Sequence, residues 1–213
     1  MRRIQILLAD DHTMICAGFR KLLEPEHEVV GIVGDGLSLI KAAQQLKPDL
    51  VLVDIGMPLL NGLDAARKLK KLMPRMKLIF LTMNPDADIA GEALQIGASG
   101  YLLKNSQGDE LLRAVRDVTR GMTYVTPAIK QAMDERFIQD PKSVSRPRHL
   151  TPRHREIVQM LAEGRSPREI ASVLEISVRT VRFHKYEIMK ELGTTSNAEL
   201  VQYAIKHSLI SLP

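Results

Sequence analysis

The sequence predicts an α/β domain with a doubly wound, five-stranded parallel sheet, followed by a second, smaller, all-α domain. Three observations indicate this architecture. Short apolar runs alternate with helical periods as far as residue 121, a stretch with two prolines and two serines then breaks the pattern, and four helical segments follow. Short, uniformly apolar runs are typical of strands covered on both faces, as in parallel sheets.

Five strands and five helices are predicted in the first domain. The strands span residues 4–9, 29–34, 50–54, 78–82 and 100–103. Each is followed by a helical stripe, namely Ile15, Phe19, Leu22 and Leu23, then Leu39, Ala42, Ala43 and Leu46, then Leu63, Ala66, Leu69 and Leu72, then Ala90, Ala93, Leu94 and Gly97, and last Leu111, Leu112, Val115 and Val118. Pro74 ends the third helix and Gly121 closes the fifth. Five strand–helix units make one doubly wound domain of ordinary size.

The domain boundary is indicated by composition. A short helical pattern continues over residues 127–137, and the sequence I-Q-D-P-K-S-V-S-R-P-R-H that follows has no apolar period. Such a segment is typical of a linker. We assign residues 1–123 to the first domain, 124–148 to a linker that includes the short helix, and 149–213 to the second domain. Its helices are predicted at 153–162, 167–174, 178–192 and 197–207.

Composition excludes several classes of protein. The chain is 45% hydrophobic and 26% charged, which is ordinary for a globular protein. No apolar run approaches the roughly 18 residues of a membrane span, and the acids Asp10 and Asp11 come too early for a signal peptide. We therefore expect a cytoplasmic protein without a membrane partner. Cys16 is the single cysteine, so an internal disulfide and a cysteine zinc site are excluded.

The net charge lies entirely in the last third of the chain. Residues 1–141 hold 18 Lys and Arg against 18 Asp and Glu, whereas residues 142–213 hold 12 against 7. A small basic domain attached to a neutral one favours an anionic partner such as nucleic acid, although a solvated basic face is the alternative.

Polar side chains follow four of the predicted strands. Asp10 and Asp11 follow the first, Asp54 ends the third, Thr82 ends the fourth and Lys104 follows the fifth. The carboxyl ends of parallel strands meet at one crevice, so these groups are expected to lie together. Carboxylates with a lysine, and without Cys or His ligands, suit a hard divalent cation and a phosphoryl group. The pattern indicates phosphoryl transfer to a carboxylate.

These residues also carry a family resemblance. Asp10-Asp11, D-I-G-M-P-L-L-N-G around Asp54, L-T-M at Thr82 and G-Y-L-L-K ending at Lys104 resemble the flavodoxin-like receiver domain of two-component response regulators. The segments L-T-P-R-H-R-E-I-V-Q-M-L-A-E-G, I-S-V-R-T-V-R-F-H-K-Y-E-I-M-K-E-L-G and S-N-A-E-L-V-Q-Y-A-I resemble the LuxR-type helix-turn-helix module. The two in this order resemble the NarL/FixJ class.

The site roles follow from the chemistry together with the resemblance. Asp54 is the expected phosphoacceptor, since a carboxylate can attack a phosphoryl group and form an acyl phosphate. Mg²⁺ would be held by Asp10 or Asp11, by Asp54 and by the Gly56 carbonyl, and the resemblance favours Asp11 as the direct ligand. Lys104 would balance the charge. The resemblance further implies a switch in which Thr82 moves toward the phosphoryl group and Tyr101 rotates.

In the second domain, Ser177 is a candidate N-cap for the recognition helix. Removing its core stripe leaves an outer, cationic and aromatic set suited to the major groove: Arg179, Thr180, Arg182, Phe183, Lys185, Tyr186 and Lys190. By resemblance Arg182, Phe183 and Tyr186 are the base-edge candidates, and the other four contact phosphates. Glu175 stands where this turn usually has glycine. The resemblance also implies that the last helix pairs two DNA-bound modules.

The sequence thus predicts a transcription regulator, not an enzyme, with a sensor histidine kinase and double-stranded DNA as partners and a homodimer on DNA. One alternative is a receiver that acts as an interaction module without phosphorylation. Another is an acid-cluster phosphohydrolase of the haloacid dehalogenase kind, which requires D-x-D where this chain has A-D-D-H-T. Two couplings stay open: a receiver that covers the recognition helix until phosphorylation, or dimerisation through the receiver.

Overall fold

The computed structural model describes residues 3–83, 85–139, 150–207 and 209–210, with residues 136–139 described by their backbone alone. Residues 140–148 of the predicted linker therefore lie outside the described residues. Among the helices in the described ranges, none is long and apolar enough to cross a bilayer.

The N-terminal domain is built on a parallel sheet. Its strands are β1 Gln5–Ala9, β2 Glu28–Val33, β3 Leu50–Asp54, β4 Lys77–Thr82, β5 Gly100–Leu103 and β6 Tyr124–Val125. They lie in the order β2-β1-β3-β4-β5-β6, and every neighbouring pair is parallel. The chain changes winding direction between β1 and β3, so a crevice opens at the carboxyl ends of these two strands.

The prediction of five strands was one strand short. Tyr124 and Val125 pair with Gly100 and Tyr101, and so extend the sheet beyond β5. A two-residue strand has no period of its own to detect. It forms because the backbone N–H groups of Tyr124 and Thr126 find acceptors on the exposed edge of β5.

Ten helices lie in the described part of the chain, where the sequence predicted them to within a few residues. They are α1 Thr13–Leu23, α2 Gly36–Leu46, α3 Gly62–Leu72, α4 Ala87–Ile96, α5 Gly108–Thr119, α6 Pro127–Gln139, α7 Pro152–Ala162, α8 Pro167–Val173, α9 Val178–Leu192 and α10 Asn197–Lys206. The helix predicted within the linker is α6.

The first six helices cover the two faces of the sheet. Helices α2, α3, α4 and α6 pack on one face, and α1 and α5 pack on the other. Neighbouring residues of β1 alternate between the two cores, with Leu7 in the first and Leu8 in the second. Because both faces are covered, β3 is buried along its whole length, which explains its uniformly apolar sequence before Asp54.

Helices α7 to α10 form the C-terminal domain around a separate core. Its fully buried members include Ile157, Ile170, Val181, Ile188 and Leu200, at least one from each helix. Val181 and Ile188 lie on one side of α9, seven residues apart. The opposite side of α9 is left for solvent or a partner.

Candidate functional site

The two central acids lie at the switch point of the sheet. Asp10 directly follows β1 and Asp54 ends β3, and both are almost fully buried. Asp11 and His12 are exposed beside them, and ligand atoms of all four residues lie within 4.8 Å of one another. The crevice predicted from the strand ends therefore brings Asp10, Asp11 and Asp54 together.

Lys104 places its ammonium between the two buried carboxylates. Its Nζ lies 2.8 Å from Asp10 Oδ2 and 3.0 Å from Asp54 Oδ2, and the side chain is 1% exposed. The backbone fixes its position, because Lys104 N–H donates to the carbonyl of Thr82 at 2.7 Å. The peptide bond that follows Lys104 is trans. A buried cation in this position offsets the repulsion between two carboxylates.

Burial perturbs the acidity of the proposed phosphoacceptor. Burial raises the pKa of Asp54 above its ordinary value, and the charge of Asp10 adds to the shift. Lys104 and the backbone N–H of Gly56 act in the opposite direction. A divalent cation in the crevice would favour the ionised form of Asp54, because opposite charge lowers the pKa of a carboxyl group.

His12 contributes to the acid cluster, although the sequence analysis gave it no role. Its Nδ1 lies 3.0 Å from an oxygen of Asp10 and 3.0 Å from an oxygen of Asp11. The backbone N–H of His12 also donates to Asp10 at 2.9 Å. This hydrogen bond fixes the Asp10 carboxylate at the start of α1. Sequence spacing alone does not reveal the contact.

Thr82 and Tyr101 lie on adjacent strands beside the crevice. Thr82 pairs with Leu103 in the sheet, and Tyr101 lies two residues before Leu103 on the same strand. Tyr101 is fully buried in the same core as Ile129 and Met133 of α6. Burial raises the pKa of Tyr101. The phenol of Tyr101 is thus already inside the domain and covered by α6. The switch that couples Thr82 and Tyr101 stays a prediction.

The loop after Asp54 is packed tightly against the backbone of Asp54. Gly62 N–H donates to the carbonyl of Ile55 at 2.9 Å. A Cβ on Gly62 would lie 2.0 Å from the backbone oxygen of Asp54, a distance that no side chain tolerates. The Asn61 side chain caps α3 by accepting from Asp64 N–H at 2.9 Å. Glycine is therefore required at position 62, because the chain passes close to the backbone of Asp54 there. The sequence Asn-Gly is typical of a turn and did not reveal this requirement.

The helix-turn-helix geometry begins with two capped helices. Ser166 and Glu169 form a reciprocal capping box at the start of α8. Ser177 caps α9 as predicted, since its hydroxyl accepts from Thr180 N–H at 3.0 Å. Between the helices, Glu175 has φ +53°, so it adopts the left-handed conformation that glycine takes more readily.

The outer face of α9 is open to solvent. The predicted DNA-contacting residues lie there: Arg179, Arg182, Phe183, Tyr186 and Lys190 are exposed, and Thr180 and Lys185 are partly buried. Phe183 and Tyr186 are 60% and 65% exposed, which is unusual for aromatic side chains. Among the residues that the structure describes, those of the N-terminal domain leave this face of α9 exposed, which disfavours the first of the two couplings that the sequence left open.

His184 points from α9 back into the domain. Its ring lies 5.4 Å from that of His154 on α7, in an edge-to-face arrangement. Burial lowers the pKa of His184, and nearby His154 and Arg153 lower it further. The residue packs α9 against α7.

Comparison with known proteins identifies both domains. The response regulator receiver domain matches residues 6–116, and the luxR family of bacterial regulatory proteins matches residues 148–204. The chain belongs to the two-component response regulators. It has the receiver and LuxR-type domain of the NarL class, as the sequence predicted, and such a protein is a DNA-binding regulator of transcription, not an enzyme.

The similarity to known proteins and solved structures extends over almost the whole length of the response regulator. The oxygen regulatory protein NreC of Staphylococcus carnosus is 37% identical over 215 residues, which cover 97% of this chain and 99% of NreC. The RcsB response regulator of Salmonella typhimurium is 27% identical with a TM-score of 0.65, over 95% of this chain and 97% of RcsB. A structure of two RcsB dimers bound to two parallel DNAs is 26% identical with a TM-score of 0.60, over 95% and 98%.

Proposed function

We propose that the response regulator accepts a phosphoryl group on Asp54 from a sensor histidine kinase. The observation that carries this proposal is the position of Lys104, whose ammonium contacts both Asp10 and Asp54 at the switch point of the sheet. A buried carboxylate next to a cation is suited to attack a phosphoryl group, because the cation also neutralises the charge that the incoming group brings.

A divalent cation fits the donor set of the crevice, and we propose Mg²⁺. The carboxylates of Asp10, Asp11 and Asp54, which lie close together, are hard oxygen ligands, and the carbonyl of Gly56 would supply a fourth. Bound Mg²⁺ would neutralise phosphoryl oxygens and so allow an anionic donor to approach three acids. Asp11, which is exposed, would hold the ion directly, and Asp10, which contacts Lys104, would help to hold it through water.

The remaining residues of the receiver would act on the phosphorylated state. Lys104 follows the phosphoryl oxygens with its flexible side chain, and Thr82 donates its hydroxyl to them. Movement of Thr82 would alter the packing of Tyr101, and through it the packing of α6 on α4. Residues 1–123 are the proposed phosphoacceptor domain, residues 124–148 the connection, and residues 149–213 the DNA-binding domain.

On the DNA side, α9 is the proposed recognition helix in the major groove. Arg182, Phe183 and Tyr186 would contact base edges, whereas Arg179, Thr180, Lys185 and Lys190 would contact phosphates. A homodimer on DNA is proposed because RcsB binds DNA as dimers. Two-fold symmetry would then require two half-sites. Since DNA is the proposed target, we place the protein in the cytoplasm.

Intact-mass analysis of the full chain tests the phosphorylation site. Incubation with acetyl phosphate and Mg²⁺ should add one phosphate to the wild type and none after removal of the metal. Asp54→Asn should accept none, while Asp49→Asn, directly before the same strand, should behave as the wild type. Phosphate on Asp54→Asn would reject the assignment, and a wild type that accepts none would favour the phosphorylation-independent interaction module.

A further inference from the structure

The outer face of α9 carries two aromatic side chains among cationic ones. Phe183 and Tyr186 are both more than half exposed, and of the Phe and Tyr side chains that the structure describes, only these two are mainly exposed. Arg179, Arg182 and Lys190 are exposed on the same face. Apolar surface left in water is unfavourable, so two aromatic rings on a charged face indicate a partner that offers both anionic and apolar groups.

The two rings are neighbours on this face. Phe183 and Tyr186 are three residues apart on α9, which places them about 60° apart around the helix axis and about 4.5 Å apart along it. Successive base pairs of DNA are about 3.4 Å apart, so the two rings together span about one step of the duplex. Val181 and Ile188 on the opposite side are fully buried, so α9 presents the rings outward in a fixed direction.

Phe183 is held by a neighbouring ring. Its ring centroid lies 5.9 Å from that of His184, in an edge-to-face arrangement. His184 lies in turn against His154 of α7. Three adjacent rings thus connect Phe183 to the rest of the domain. A side chain that is already held in place loses little conformational freedom on binding, which favours its use in recognition.

The chemistry of Phe183 limits what it can recognise in the major groove. A phenyl ring has no polar atom with which to bind the acceptors of guanine or the amino groups of adenine and cytosine. Thymine alone among the four bases presents an apolar group there, its C5 methyl group. An exposed phenyl ring on α9 therefore favours thymine. The ring of Tyr186 is less selective, because its hydroxyl can also bind a phosphate or a polar base atom.

We propose that Phe183 determines sequence specificity by packing its ring against the C5 methyl group of a thymine in each half-site. The inference rests on the proposed function of α9 as the recognition helix. Tyr186 packs beside Phe183 and excludes water from the contact. Arg182 binds the polar edge of a base nearby, while Arg179 binds a phosphate. Each half-site then requires thymine at one position, next to the base that Arg182 contacts.

Replacement of thymine by uracil tests the contact, because uracil lacks only the C5 methyl group and pairs with adenine in the same way. A duplex is first selected from random sequences with the full chain, treated with acetyl phosphate and Mg²⁺. Each thymine of one half-site is then replaced in turn by uracil. The wild type should bind one of these uracil duplexes about fourfold more weakly than the selected duplex, the fold-change that one buried methyl group corresponds to.

Phe183→Ala should bind the selected duplex and that uracil duplex with equal affinity. Lys185→Ala is the matched control, since loss of a phosphate contact should weaken binding to both duplexes and keep the fourfold difference between them. The comparison also separates the contact from any effect of the methyl group on DNA stacking, which is the same for every variant.

A second variant protects the test against misfolding. Phe183 is exposed, so its replacement should leave the core of the domain intact, and melting temperatures check this. If Phe183→Ala does not fold, Phe183→Gln takes its place in the same comparison, because glutamine keeps much of the side-chain length without the apolar ring.

Two results would overturn the role of Phe183 while α9 stays the recognition helix. One is a wild type that tolerates uracil at every thymine position, or a selected half-site that contains no thymine. The other is a fourfold difference that Phe183→Ala retains. A wild type that enriches no duplex from random sequences would instead reject α9 as the recognition helix, and the proposal with it, so the two failures are distinguishable.

Discussion

Lys104 Nζ lies 3.0 Å from Asp54 Oδ2, although the strands that carry the two residues are separated by β4. The long side chain of Lys104 crosses the end of β4 to reach the acid. We propose that Lys104 senses the charge at Asp54, because a phosphoryl group there would present new oxygens to the same ammonium.

We therefore expect Lys104→Ala to uncouple phosphorylation from output. The variant should still accept phosphate on Asp54, more slowly than the wild type, but its phosphorylated form should show no gain in DNA affinity. Intact mass and DNA titration measure the two steps separately. Lys21→Ala, an exposed lysine of α1, should leave both unchanged. A Lys104→Ala protein that gains DNA affinity as the wild type does would contradict the role.

Gly62→Ala should destabilise the receiver by roughly 2 kcal/mol or more, since its Cβ would lie 2.0 Å from the Asp54 carbonyl oxygen. The backbone of Asp54 must shift to relieve this contact. Gly18→Ala is the matched control, because a Cβ at this position in α1 meets nothing within 4 Å. That substitution should stabilise by about 0.5–1 kcal/mol through helix propensity. Urea unfolding of both variants provides the comparison, and equal stability would be inconsistent with the packing described.

Asparagine substitutions of two buried acids should shift the melting temperature near pH 7 in opposite directions. The pKa of Asp54 is raised on folding by burial, so ionised Asp54 opposes folding above its ordinary pKa. In metal-free buffer, Asp54→Asn should therefore raise the melting temperature near pH 7, and this gain should disappear as pH falls below about 4, where Asp54 is protonated in both states.

Ionised Asp64 has the opposite effect on stability. Its pKa is lowered because Arg155 and Arg67 outweigh burial, so it stabilises the fold above its ordinary pKa, and this contribution is lost as pH falls through the lower folded value. Asp64→Asn should lower the melting temperature near pH 7, with a difference from wild type that shrinks in acid. Melting curves from pH 3 to pH 8 compare both variants, and shifts of the same sign would contradict the two environments.

Substitutions on the proposed recognition helix should change affinity for DNA and sequence preference separately. Binding should weaken steeply with added salt, because phosphate contacts dominate the affinity of a basic domain. Lys185→Ala should weaken binding to all duplexes alike, whereas Arg182→Ala should relax preference at one base position by roughly 1–3 kcal/mol. Titrations of single-base variants of a selected duplex measure both effects. Binding indifferent to salt and to both substitutions would exclude α9 as the recognition helix.

The acid crevice was predictable from sequence because it depends on strand order and direction. Each strand is an uninterrupted apolar run, so the first polar residue after it marks the carboxyl end of the sheet, as at Asp10 and Asp54. The outer face of α9 was predictable for a related reason. A buried stripe through Val181 and Ile188 leaves the opposite side to solvent.

Features that depend on contacts between distant segments were not predictable in this way. The pair Asp64 and Arg155 is 91 residues apart in sequence, and both are charged residues that a helical pattern assigns to the surface. Gln159 is fully buried only because the receiver covers it. Strand β6 depends on the edge that β5 offers, not on its own two residues.

The affinity for DNA before and after phosphorylation tests the central claim most directly. A duplex is first selected from random sequences with the phosphorylated full chain, and is then titrated with phosphorylated wild type, unphosphorylated wild type and Asp54→Asn treated with the same phosphodonor. Phosphorylation should tighten binding by at least about fivefold, the lower end of allosteric couplings, and Asp54→Asn should show no gain. Equal affinity of the phosphorylated and unphosphorylated wild type would contradict control of DNA binding through Asp54.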